Sequence, residues 1–205
     1  MCIPETFGLL DGQFQDGRNY VLNEKLGSGS YGVCHRATTI SGSLTFCIKK
    51  CYHVKEEILA LTLAKKDNVK YIVDYYGTKL EGGTAYVCMQ FMKRGTLEKH
   101  IERQREKLPV GAWPIIDEGT CFNFVGDILK GVEFLNSKGL VHGDIKGDNV
   151  LLDESFTHVK LADFGLSRKI EENVLTPDVL RTGRLLIEML NGERSSILGR
   201  FFRKC

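Results

Sequence analysis

The chain has 205 residues, 42% of them hydrophobic and 26% charged, with a formal net charge of +2. That composition suits one folded domain or two small lobes and excludes a disordered or fibrous chain. The near balance of charge gives no global basic field to hold nucleic acid, and no stretch reaches the ~20 apolar residues of a membrane span.

Seven cysteines (Cys2, Cys34, Cys47, Cys51, Cys88, Cys121 and Cys205) are scattered without C-x-x-C spacing, so reduced cytosolic thiols are expected rather than a zinc site. The first residues lack the basic start and apolar run of a signal peptide, and Cys205 lacks the tail that prenylation needs. Residues 1–19 read as an N-terminal extension.

Residues 20–52 are β-rich. Tyr20–Leu26 suits a first strand, Gly27-Ser28-Gly29-Ser30-Tyr31-Gly32 a turn, Val33–Ala37 a return strand and Leu44–Ile48 a third strand. Glycines in the turn let a backbone approach phosphate without Cβ obstruction. A dinucleotide-binding turn is the rival reading, but it wants strand, turn and helix, whereas a further strand follows here. Lys49 ends the third strand, and Lys50 points to the opposite face. Glu56–Leu63 has the apolar stripe of a short helix. One of its two glutamates should pair with Lys49; Glu57 is favoured because Ile58 and Leu61 lie beside it at helical spacing. Glu57 lies only eight positions after Lys49, so the chain must turn into the helix at once. Tyr71–Gly77 and Ala85–Gln90 read as two strands joined by the turn Glu81–Thr84.

In the second half, Thr120–Ser137 has helical periodicity, with Phe124, Ile128, Val132 and Leu135 on one stripe and Gly139 as its stop. Residues 103–116 carry no clear pattern. Residues 142–149 read His-Gly-Asp-Ile-Lys-Gly-Asp-Asn, and Asp163-Phe164-Gly165 begins 19 residues after Asp144. This is the chemistry that phosphoryl transfer needs: Asp144 to accept a proton from a hydroxyl, Lys146 to neutralise the moving phosphoryl group, and Asn149 and Asp163 to offer oxygen ligands to magnesium.

These motifs, in this order, resemble the protein kinase superfamily over about three quarters of the chain. Lys146 after Asp144-Ile145 resembles the serine/threonine class. The whole loop looks most like the MAP kinase kinase kinase group, with NF-κB-inducing kinase the nearest named likeness. The resemblance implies an α+β, bilobal kinase-like fold: a β-rich N-lobe with one short helix over residues 20–92 and a mainly helical, incomplete C-lobe over 93–205. It implies ATP and Mg2+ as cofactors and Asp144, Lys146, Lys49 and Glu57 as catalytic residues. Nucleotide would be held by Leu26, Gly27, Ser28, Gly29, Gly32, Cys34, Lys49, Met89 as gatekeeper, the backbone of Gln90 and Met92, and Leu151 as floor. Asn149 and Asp163 would hold the metal. Partners would be a protein substrate with Ser or Thr, and a partner kinase or scaffold.

The pattern departs from the family at three places. Gly143 stands where most kinases have an arginine that pairs with an activation-loop phosphate, which implies that this switch is missing. Twelve residues separate Gly165 from Asp178, whose helix Asp178–Leu190 resembles the central C-lobe helix; an Ala-Pro-Glu motif and a full activation segment do not fit between them. The chain then stops soon after Asn191, which would leave Leu185, Leu186, Ile187, Met189 and Leu190 short of cover. A spliced or incomplete product would account for both losses. These departures set a catalytically weak or inactive kinase-like binding module beside the active cytoplasmic enzyme as the alternative.

Overall fold

The computed structural model describes residues 20–29, 32–52, 54–109, 112, 114–170 and 177–191, and the chain divides into two compact units, Met1–Phe91 and Met92–Cys205. The readings made for residues 1–19, for the turn residues Ser30 and Tyr31 and for the chain beyond Asn191 lie outside the described residues.

Among the described residues, the first unit is a five-stranded antiparallel sheet with one helix. Its strands are β1 (Tyr20–Gly29), β2 (Gly32–Thr39), β3 (Thr45–Cys51), β4 (Tyr75–Glu81) and β5 (Thr84–Gln90), in the order β1-β2-β3-β5-β4. Alternation along β3 sorts its side chains onto two faces. Phe46 and Ile48 join Ala37 and Cys88 in an apolar cluster, with Tyr20, Leu44, Tyr76 and Tyr86 packed against it. Cys47, Lys49 and Cys51 lie on the other face, opposite Met89, Val87 and Ala85 of β5. Helix α1 (Lys55–Lys66) buries Glu57, Ile58, Ala60, Leu61 and Ala64 and packs on β4. It starts four residues after β3 ends and carries Glu56 and Glu57 in its first turn, where acidic groups suit the helix dipole.

Two strand boundaries differ from the sequence reading. β1 runs on through Gly29, because Gly27, Ser28 and Gly29 pair with Cys34, Val33 and Gly32 as a hairpin ladder. β4 begins at Tyr75 rather than Tyr71: Ile72 and Val73 are buried, and their apolar run looks like strand without joining the ladder of β5.

The second unit is mainly helical. Helix α2 (Leu97–Lys107) follows its N-cap Thr96, whose hydroxyl accepts a hydrogen bond from the Lys99 N–H at 3.3 Å. Helix α3 (Glu118–Ser137) is capped by Asp117, which accepts from the Thr120 N–H at 2.9 Å. Then come β6 (Leu140–Val141), a single 3-10 turn (Gly147–Asn149), β7 (Val150–Leu152), β8 (Val159–Leu161), β9 (Arg168–Lys169) and helix α4 (Pro177–Asn191). β7 pairs with β8, and β6 with β9.

α4 is better covered than its sequence led us to expect. Leu185 and Met189 are buried, with α3 packed against the helix, and Leu186, Ile187 and Leu190 are half-buried. The N–H groups of Ile115 and Ile116 donate to the Leu190 and Met189 carbonyls at 2.9 and 3.1 Å, so two acceptors of the last helical turn are satisfied by a neighbouring segment. The exposed apolar residues of this helix are Val179 and Leu180, in its first turn.

Candidate functional site

Each unit carries a polar cluster. In the first, Lys49 and Glu57 are 3% and 2% exposed, and the Lys49 Nζ lies 2.7 and 2.8 Å from the two Glu57 carboxylate oxygens. A buried ammonium and carboxylate persist only as a well-made pair, since either alone would pay the full desolvation penalty. The short link from β3 into α1 therefore forms the pair rather than preventing it. Lys50, one residue on, is exposed on the opposite face.

The glycine-rich hairpin is built from two kinds of glycine. At Gly27 and Gly29 a Cβ would meet nothing within 4 Å, so their backbone faces open space. Gly32 has φ +140°, and a Cβ there would sit 2.4 Å from the Lys50 carbonyl oxygen and 2.9 Å from the Cys51 Cβ. It is required by the close approach of β3. Cys34 is half-buried and pairs with Lys49, which puts it on the Lys49 face. The hydrogen bond with the neighbouring Cys34 thiol, and then burial, push the Cys47 thiol far above its ordinary range, so Cys47 is inert as a nucleophile. Leu26 is half-buried near the end of β1.

At the end of the same sheet Met89 is buried, opposite Cys47 and Tyr75. The Gln90 N–H donates to the Asp74 carbonyl at 2.8 Å, so it is not the group that would donate to a base. Met92, which opens the second unit, accepts the Gly95 N–H on its carbonyl at 3.0 Å; its own N–H has no hydrogen bond among the described residues.

In the second unit the segment from His142 to Asn149 wraps around Asp144. Lys146 Nζ lies 2.7 Å from Asp144 Oδ2, and Asn149 Nδ2 donates to the same oxygen at 2.9 Å and to the Asp144 carbonyl at 2.8 Å. The hydrogen bond to Asp144 holds the Lys146 ammonium above its ordinary pKa, so it stays cationic. Asp144 Oδ1 and Asn149 Oδ1 accept no hydrogen bond among the described residues. The first is an open basic site, and the second an open neutral oxygen ligand.

This segment is anchored from below by a residue the sequence reading used only to mark a helix start. Asp178 of α4 is fully buried, and its carboxylate accepts from the N–H groups of His142 and Gly143 at 2.8 and 3.0 Å. Thr182 in turn donates its hydroxyl to the Asp178 carbonyl at 2.8 Å. His142 is also fully buried. Its Nδ1 accepts from the Asp144 N–H at 3.2 Å, which assigns the ring proton to Nε2, donating to the Ala162 carbonyl at 3.1 Å. Burial pushes this imidazole below its ordinary pKa, with the Asp178 carboxylate the largest opposing influence. The ring is neutral and packs on Phe164 at 4.9 Å between centroids.

Asp163 has φ +59°, a left-handed conformation that few residues other than Asn, Asp and Gly adopt readily. Its Oδ1 accepts from the Gly165 N–H at 3.3 Å, while Phe164 is buried. Asn149 and Asp163 are tied together through the backbone, since the Ala162 N–H donates to the Asn149 carbonyl at 2.9 Å. Leu151, in β7, is half-buried beside Thr96.

Gly143 has a structural reason that the sequence did not show. Its φ is +83°, and a Cβ there would lie 2.6 Å from the Leu166 carbonyl oxygen and 3.3 Å from the Arg168 guanidinium. The backbone at Leu166, just before β9, thus fills the space where a side chain at 143 would begin.

The comparisons with known proteins agree with this geometry. The family described as "Protein kinase domain" matches residues 20–188. The chain therefore belongs to the protein kinase domain family. Its fold is the α+β kinase arrangement of a β-sheet unit followed by a helical one. Similar proteins include "Protein kinase wis1" of Schizosaccharomyces pombe, 29% identical over 175 residues, covering 78% of this chain and 27% of that one. "Serine/threonine-protein kinase sid1" of the same organism is 28% identical over 164 residues, 76% of this chain and 32% of that one. "Mitogen-activated protein kinase kinase kinase kinase 3" of Homo sapiens is 30% identical over 167 residues, 76% of this chain and 17% of that one. The chain thus spans less than a third of the length of these relatives. Among the described residues no helix is long and apolar enough to cross a membrane.

Proposed function

We propose that this chain is an ATP- and magnesium-dependent protein serine/threonine kinase that transfers the γ-phosphoryl group to a hydroxyl of a protein substrate. The single observation that carries this is the state of Asp144: one carboxylate oxygen is fixed by Lys146 and Asn149, and the other is free to accept a proton. Family membership and relatives named as serine/threonine-protein kinases support the same class.

The donor set fits magnesium. Asn149 offers a neutral oxygen with no other hydrogen bond, and Asp163 a carboxylate; two hard oxygen ligands, with phosphate and water as the rest, are what this ion accepts. Bound there, Mg2+ would neutralise developing charge on the phosphates. The chain's own residues do the remainder. Asp144 Oδ1 takes the hydroxyl proton as the substrate oxygen attacks. Lys146, kept cationic by Asp144, faces the charge of the transferring group. Lys49, oriented by Glu57, binds nucleotide phosphates. Leu26, Gly27, Ser28, Gly29 and Gly32 form the hairpin over them, with only Gly27 and Gly29 open to close approach. Cys34 and Met89, on the Lys49 face of that sheet, offer apolar contacts to the base. Of the hinge groups, the Met92 N–H is the donor to adenine, and Gln90 contributes through a group other than its N–H.

Residues His142–Leu152 support placement near the MAP kinase kinase kinase group, with a cytoplasmic signalling role and a partner kinase or scaffold as further partners. Magnesium-dependent ATP binding, measured by calorimetry with Lys49→Ala and Asp163→Ala alongside, tests the reading. Binding that both substitutions abolish supports it. A folded protein that binds no ATP would leave a kinase-shaped interaction module instead.

A further inference from the structure

The second unit carries an open cavity of about 430 Å3 lined by Lys93, Arg94, His100, Arg103 and Glu154, away from the Asp144 cluster and unused by the chemistry above. Like charges brought together repel, so a concentration of cations around one concavity needs a reason. The cations here are also held in place. Arg94 Nε donates to the Glu154 carbonyl at 2.6 Å, and its guanidinium lies over the Phe156 ring at 5.6 Å. Arg103 Nε donates to the Lys99 carbonyl at 2.9 Å and its Nη2 to the Arg94 carbonyl at 3.3 Å. His100 lies tilted against Phe156 with ring centroids 4.4 Å apart, and Phe156 rests edge-on against the buried Phe124. Both guanidiniums are thus fixed by backbone carbonyls, neutral partners that leave the positive charge uncompensated. Among the described residues neither pairs with a carboxylate. The consequence is felt by His100, whose pKa is lowered by burial and then by Arg103, Arg94 and Lys107.

We propose that this cavity is a binding site for a phosphate monoester carried on a peptide, a phosphoserine or phosphothreonine segment of a protein partner. Arginine forks fixed in advance lose little freedom on binding and match the bidentate geometry of phosphate oxygens. A carboxylate fits the charge less well, having one negative charge to set against Lys93, Arg94 and Arg103. The site is concave and local, which suits a single anionic group rather than a duplex or a membrane surface. The cavity exceeds what a lone phosphate ion needs and leaves room for the residue that bears it. Among the described residues of the lining, Glu154 is the one that carries the opposing charge, and it lowers affinity by repulsion.

The test uses the whole 205-residue chain without ATP or magnesium, so that its outcome is independent of the kinase reading. Fluorescence anisotropy follows a labelled phosphoserine peptide and its unphosphorylated twin. The phosphopeptide should bind at least tenfold tighter. Arg103→Gln should weaken it roughly tenfold, the scale of one charge-assisted hydrogen-bonded contact. Lys93→Gln should weaken it less, and Glu154→Gln should strengthen it. Lys93 makes no hydrogen bond or ion pair among the described residues, so its replacement leaves the fold alone; thermal melts verify this for all three variants. Equal binding of both peptides, or three variants that bind the phosphopeptide like the parent, would overturn the proposal. So would competition by inorganic phosphate or ADP as strong as by the phosphopeptide, or binding of RNA or anionic vesicles in its place.

Discussion

Replacing Gly143 by alanine should destabilise the protein well beyond the cost of the same change at Gly139. Both glycines have left-handed backbones, with φ +83° and +72°. A side chain in that region costs about 1–2 kcal/mol, partly offset by the entropy glycine loses on folding. At Gly139 nothing lies within 4 Å of the added Cβ, so the loss stops there, at roughly 1 kcal/mol. At Gly143 the Cβ would meet the Leu166 carbonyl oxygen at 2.6 Å. That oxygen belongs to backbone held next to the β6–β9 pairing, so it cannot swing aside as a flexible side chain would. Overpacking of this kind adds about 1–3 kcal/mol, for a total of about 2–4 kcal/mol. Urea unfolding followed by circular dichroism, with the two variants beside the parent, measures the difference directly. Equal losses at the two positions would refute the argument that the Leu166 backbone closes the space above residue 143. The same reasoning makes Gly143→Arg at least as damaging, so the missing arginine cannot be restored by substitution.

Three further predictions follow from the buried groups. Glu57→Gln removes the carboxylate charge that lies on the buried Lys49 ammonium and should cost about 3–5 kcal/mol, whereas Lys49→Met with Glu57→Leu should recover most of that stability and still fail to bind ATP; denaturation and calorimetry read the two effects separately. Asp178→Ala removes the acceptor of two buried N–H groups and should cost about 2–5 kcal/mol by denaturation, with a loss of phosphate transfer because the loop that carries Asp144 loses its anchor. His142 titrates below its ordinary value in the folded chain, so the unfolded chain binds more protons just below that value. Unfolding free energy should therefore be flat above about pH 7 and fall as the pH drops through about 6.5, a slope that His142→Asn should flatten.

Much of the site was legible because its chemistry is local in sequence. Asp144, Lys146 and Asn149 fall within six residues, and Asp163-Phe164-Gly165 is a tripeptide. The sheet was legible through alternation and turn residues. Helix α2 was not, because it buries little besides Leu97 and Ile101 and is otherwise charged, so no apolar stripe rises above the polar background. β9 is two residues long and gives no period to read. The anchor at Asp178 and the closed space at Gly143 depend on contacts 35 and 36 residues apart for one and on a backbone carbonyl for the other. Backbone partners leave no mark on residue type, and that is why Gly143 reads from sequence as a lost arginine rather than a required glycine. The two roles of glycine in the first hairpin were hidden for the same reason: Gly32 answers to the β3 backbone, which no motif spells out.

Transfer of radiolabelled γ-phosphate from ATP to serine or threonine of a general protein substrate, with Asp144→Asn as the paired control, decides whether the kinase reading holds. Magnesium-dependent incorporation is expected from the parent chain, with a loss of several orders of magnitude in the variant, which should remain folded and still bind ATP. Incorporation that the variant matches, or none from a folded parent that binds ATP and magnesium, would contradict it.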